Sequence, residues 1–173
     1  DYMITVEPTQ VNAWFAGRLP AGWTKVAPEI TVDREEITVL LTLESVELGS
    51  DASDAERSEA AAGRIAGWRD ETREDRMSIA REAEARFERK VSWGAQIGDH
   101  NALFTHLAVP VMTRLRQPQR LVLDTLVESG VARSRADALS WCVRLVGRHS
   151  EEWLTELQSA MESVRAVRQQ GPA

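Results

Sequence analysis

The chain has 173 residues, 43% of them hydrophobic and 28% charged, with a formal net charge of −6. That composition is globular and excludes a disordered or low-complexity chain, and no apolar run approaches the roughly 18–20 residues a transmembrane helix needs. The single cysteine, Cys142, excludes an internal disulfide framework and fits a reducing compartment, so the sequence reads as cytoplasmic with no membrane partner.

Asp1–Glu7 lacks the basic start and apolar block of a secretory leader. Residues 1–29 hold Trp14-Phe15 and Trp23 among Gly17, Pro20, Gly22 and Pro28, a mixture that predicts loops pinned by aromatic anchors, with short strands possible. Ile30–Val32, a polar turn at Asp33–Glu36 and Ile37–Leu43 predict a β-hairpin, since Ile37, Val39 and Leu41 alternate in a β-branched-rich run. Gly49–Ser53 is a linker. From Ser53 to about Arg89 the period becomes helical. Ser53 with Glu56 makes a capping box, and Ala61, Ile65, Trp68, Thr72, Ile79, Ala83 and Phe87 form one stripe that Arg76 interrupts. Its other faces are dense in Arg and Glu, as on a solvated surface. Val91–Ile97 predicts a strand and Gly98–Asn101 a turn.

The charge is unevenly placed. Residues 104–149 carry Arg114, Arg116, Arg120, Arg133, Arg135, Arg144 and Arg148 against Asp124, Glu128 and Asp137, a net +4, while residues 1–103 stand at −8. Phosphates respond to local charge within about 10 Å at 0.1 M ionic strength, so an anionic partner is expected at 104–149. Within that region Leu103–Thr113 can be extended, with Leu107, Val109, Val111 and Thr113 on one face and His106, Ala108, Pro110 and Met112 on the other. Gln117-Pro118 starts a helix whose apolar face is Leu123, Leu126 and Val127 and which ends at Gly130. Ser134 is an N-cap with Asp137 in the following first turn. The helix after it is apolar over a broad arc through Ala138, Leu139, Cys142, Val143, Leu145 and Val146. A helix so apolar in so small a unit calls for cover from a second chain. The dimer core is therefore expected at Val109, Val111, Leu123, Leu126, Leu139, Cys142, Val143 and Val146.

Arg114-Leu115, then Leu123–Gly130, then Ser134–Leu139 lie in the order strand end, first helix, glycine turn and capped second helix. From about Phe104 to Val146 the chain resembles the ribbon-helix-helix family of DNA-binding proteins. The resemblance implies a homodimer whose paired strands form a ribbon in the major groove, with the second helix's N-terminus on a phosphate. By position it implies nucleic-acid contacts at Arg114, Arg116, Arg133, Ser134 and Arg135. Ala108, Pro110 and Met112, facing the groove ahead of Arg114, offer no charged contact to a base. After Gly147, Ser150 caps a helix to about Val167 with a stripe of Trp153, Leu157, Met161 and Val164, and Gln169–Ala173 forms a frayed tail.

No zinc spacing, P-loop, dinucleotide fingerprint or nucleophile elbow occurs, so neither a metal, a cofactor nor an enzyme is expected. Trp14, Phe15, Trp23, Trp68 and Trp93 form a core or line a pocket for a small effector. The overall expectation is an α+β protein: an α+β domain over 1–103, a ribbon-helix-helix-like unit over 104–149, and a C-terminal helix and tail over 150–173. Its function is expected to be DNA binding in transcription regulation. The alternative is the same dimer serving as a scaffold that binds a protein through the acidic N-terminal domain.

Overall fold

The structure, a computed structural model, describes residues 6–172, and most of the leader reading at Asp1–Glu7 lies outside them. The fold is α+β, and the chain divides into a first unit ending at Pro110 and a second from Val111 onward.

The first unit is built on four strands, β1 (Glu29–Val32), β2 (Glu36–Thr42), β3 (Lys90–Ile97) and β4 (His100–Leu103), in the order β1-β2-β3-β4. The expected hairpin is β1 and β2, closed by Asp33, whose carboxylate accepts from the Glu35 and Glu36 amides at 2.8 Å each. β2 and β3 run parallel, a pairing that requires a long crossover. The helices α2 (Asp54–Glu71) and α3 (Arg73–Phe87) supply it. Val39 lies opposite Trp93 and Leu41 opposite Ala95, so the alternating residues of both strands bury on one face against the helices. β3 and β4 form a hairpin through Gly98-Asp99, with Gly98 at φ +56°, the left-handed backbone such a two-residue turn favours in glycine. His100 and Asn101, expected in the turn, thus open a strand.

Ser53 caps α2 as expected: its side chain accepts from the Glu56 amide at 3.2 Å, and Glu56 accepts in return from the Ser53 amide at 2.6 Å. Those bonds hold the Glu56 carboxyl below its ordinary pKa. The single long helix expected over 53–89 is two, broken at Thr72. The Thr72 hydroxyl donates to the Trp68 carbonyl at 2.6 Å, and its backbone leaves helical geometry at φ −100°, ψ 4°. The stripe continues across the break, and Arg76 does not interrupt it. Arg76 is buried, donating to Thr72 Oγ1 at 3.0 Å and to the Arg69 carbonyl at 2.6 Å. Its guanidinium lies 5.0 Å from the Phe104 ring and 5.7 Å from the Trp68 ring, replacing water with two π faces. Burial, with Arg69 and Arg73 adding repulsion, lowers its pKa from the ordinary arginine value.

Residues 8–18, expected as loop, form α1 (Pro8–Arg18). Pro8 sits in the first turn, where a missing amide costs nothing, and Val11 and Phe15, four apart, bury completely. Arg18 clamps Glu82 of α3 through two bonds of 2.7 Å, which keeps that carboxyl below its usual range.

The aromatic residues pack into the core or against it. Phe15, Trp68 and Trp93 are buried, and the rings meet edge to face: Trp14 on Phe15 and Phe87, Phe15 on Trp93, Trp23 on Trp68 and Trp93. Phe104 packs on Trp68, and its amide donates to the Trp93 carbonyl at 2.7 Å. It therefore belongs to the first unit, where the sequence had suggested the start of the C-terminal region.

The second unit holds α4 (Gln117–Glu128), α5 (Arg135–His149) and α6 (Glu151–Gln170). Its own core is small: Leu123, Ala132 and Ala138 are buried, with Leu115, Leu126, Val127, Leu139 and Cys142 packed around them. Ser150 stands at the start of α6 without a side-chain capping bond, and the helix runs through Gln170, two residues into the tail expected to fray. Among the described residues no helix is long and apolar enough to cross a membrane.

Candidate nucleic-acid interface

After Phe104 the chain leaves the sheet. From residue 105 to 114 it joins no strand and makes no backbone hydrogen bond among the described residues. Val111 is 88% and Met112 95% exposed. Leu107 and Val109 lie at a shallow 530 Å³ cleft with Arg34, Glu84, Glu88, Arg89 and Lys90, each remaining partly open to solvent. Of the expected dimer core, Val109, Val111, Val143 and Val146 are thus exposed in the single chain. Leu123 is buried within its own subunit, and Leu126, Leu139 and Cys142 are partly buried beside it. Leu121 and Val122 of α4 are also exposed.

The stretch ends in a locked helix start. Gln119 Oε1 accepts from the Arg116 amide at 2.9 Å, and Arg120 donates to the Leu115 carbonyl at 2.7 Å. The polar contact explains why an arginine occupies position 120: it tethers the extended segment to α4. Gly130, at φ +79°, lets the chain turn back after α4, and the Ala132 amide bonds the Leu126 carbonyl at 3.1 Å.

At the start of α5, Ser134 Oγ accepts from the Asp137 amide at 3.1 Å, and Asp137 accepts from the Arg133 amide at 2.9 Å. The Ala138 amide already bonds the Ser134 carbonyl. The amides of Arg135 and Ala136 are the remaining first-turn donors, the groups that a helix N-terminus offers to an anion. Ser134 is therefore occupied as a cap, and its hydroxyl positions this turn.

Of the five expected contact residues, Arg114 and Arg116 make no ion pair among the described residues. The Arg133 side chain is 96% exposed, at 3.8 Å from Asp137. Arg135 differs. Its guanidinium is held by Asp124 of α4 in a two-pronged pair at 2.7 and 2.9 Å, so it braces α5 against α4 instead of standing free. The hydrogen bond from Arg135 holds the Asp124 carboxyl below the ordinary aspartate range. With the folded pKa depressed, the brace is complete above the unfolded value and is lost only as pH falls through the folded one, in acid. The Asp124 partner was not anticipated from sequence, although an acid eleven positions before an arginine across a helical turn is the pattern to look for. Every cation from 104 to 149 is arginine, the side chain whose planar fork suits phosphate. Among the described residues there is no His/Cys/Asp/Glu group able to hold a metal.

Comparison with known proteins places both units. Residues 9–103 match the family described as Rv1265-like protein, N-terminal domain, and residues 116–168 match the Mb1296 C-terminal domain. The chain is 57% identical over 159 residues to proteins named "Uncharacterized protein Rv1265" from Mycobacterium tuberculosis (strain ATCC 25618 / H37Rv) and "Uncharacterized protein Mb1296" from Mycobacterium bovis, covering 92% of this chain and 69% of each relative. No solved structure matches it. The gap between the two matched regions, 104–115, contains the unpartnered extended segment. On that coverage and identity, the chain belongs to the Rv1265-like family.

Proposed function

We propose that this protein is a cytoplasmic, homodimeric DNA-binding regulator in which two copies of the segment 107–113 pair into an antiparallel ribbon. The observation that carries the reading is the unpartnered segment. Among the described residues its backbone donors and acceptors have no partner, its Val109 and Val111 are exposed, and it leads into a helix pair that leaves Val143 and Val146 uncovered. Unpaired strand backbone beside exposed apolar side chains is the condition that strand addition relieves. Alternation then puts Arg114 on the face opposite Val109 and Val111, the side turned to the groove, with Arg116 next to the backbone. The Arg135 and Ala136 amides meet a phosphate, Arg133 lies beside it, and Arg135 holds α5 in place through Asp124. Ala108, Pro110 and Met112 on the groove face favour apolar contact with thymine methyl groups over charged base reading.

The test is electrophoretic retardation of genomic fragments across a salt series. Affinity falls steeply with salt, and Arg116→Ala, which removes one phosphate contact per subunit, lowers the log–log slope by about two in the dimer. A stable dimer that retards no fragment even at low salt identifies the scaffold instead.

A further inference from the structure

Helix α6 is a 20-residue helix with no buried residue, which its own subunit does not explain. Its apolar side chains follow a heptad: Leu154 and Met161 at one core position, Leu157 and Val164 at the other, with Trp153 and Val167 widening the seam. Trp153, Leu157, Met161, Val164 and Val167 are all exposed. The charges beside the seam are segregated. Glu151 and Arg165 occupy the same flanking heptad position two repeats apart, with Gln158 midway. Neither makes an ion pair among the described residues.

We propose that α6 pairs antiparallel with α6 of a second copy of this chain. Reversed about a two-fold axis, Leu154 meets the partner's Val164 and Leu157 meets the partner's Met161. The same register sets Glu151 against the partner's Arg165 and Arg165 against the partner's Glu151, while Gln158 faces itself. A parallel pair has no such match: its flanking contacts set Arg165 against the partner's Ala160 and Gln158 against the partner's Trp153, and leave Glu151 without a flanking position opposite it on the helix. The pattern therefore selects both the occupant and its direction. It concerns a different surface from the ribbon and does not rest on DNA binding.

Cysteine cross-linking of the full chain separates the possibilities. In a Cys142→Ser background, Leu154→Cys together with Val164→Cys gives a covalent dimer under mild oxidation. Either substitution alone leaves the chain monomeric on a non-reducing gel, because like positions in an antiparallel pair are offset by about 15 Å along the helix. Adding Arg165→Glu to the double-cysteine chain cuts the yield several-fold, and adding Glu151→Arg to that restores it. The proposal is overturned if the double-cysteine chain yields no covalent dimer, or if the single-cysteine chains cross-link as well as the double. It is equally overturned if the charge substitutions leave the yield unchanged. Because the readout reports only α6, its failure is distinct from failure of the ribbon.

Discussion

Val111→Asp abolishes DNA retardation and weakens ribbon-mediated self-association by about a hundredfold or more, while the far-UV circular dichroism of the subunit is unchanged. The single chain leaves Val111 88% exposed, so an aspartate there costs the isolated subunit almost nothing. In a paired ribbon the same position lies inside, and each dimer would bury two carboxylates of like sign with no cation opposite. An unpaired buried charge costs about 3 kcal/mol or more, which sets the hundredfold figure. Val111→Leu keeps the apolar surface and the dimer. Retention of wild-type association by Val111→Asp, measured by sedimentation, would place the self-contact elsewhere.

Phe15→Ala lowers the stability of the first unit by about 3–5 kcal/mol, read as a shift in the chemical denaturation midpoint. Phe15 is completely buried and touches Trp14 and Trp93 edge to face, so truncation opens a cavity where the helices meet β3. The two rings it touches come from separate segments of chain, α1 and β3, and cannot both collapse into the space. At temperatures where the variant remains folded, its DNA affinity matches the parent, because its contacts all lie in the first unit. A drop in affinity larger than the loss of folded protein would show that this unit reads DNA or an effector itself.

Much of this was legible in the residues. The alternation of Ile37, Val39 and Leu41 set the β2 face, the Ser53 and Glu56 pair marked the start of α2, and Gly130 with Ser134 fixed the turn and cap before α5. These are local signals that tertiary structure did not overrule. The losses have equally particular causes. α1 buries only Val11 and Phe15, and Gly17, Pro20 and Gly22 after it read as loop. The break at Thr72 keeps the helical stripe in phase, so period alone could not reveal it. Arg76 read as a polar interruption because its partners, the Phe104 ring and the Thr72 hydroxyl, include one contributed from 28 positions away. β4 went unnoticed because His100–Leu103 is too short and polar to announce a strand without β3 beside it. In the candidate interface, sequence order located the arginines, and only coordinates revealed that Arg135 is spoken for by Asp124 while Arg114 and Arg116 are not.

Amide hydrogen exchange across residues 107–113 probes the pairing most directly, since these groups have no hydrogen-bond acceptor among the described residues of their own subunit. The ribbon predicts slow exchange at alternate residues, with Pro110 silent for want of an amide, and loss of that protection on dilution or in Val111→Asp. Uniformly fast exchange throughout the segment, at a concentration where the protein sediments as a dimer, would contradict it.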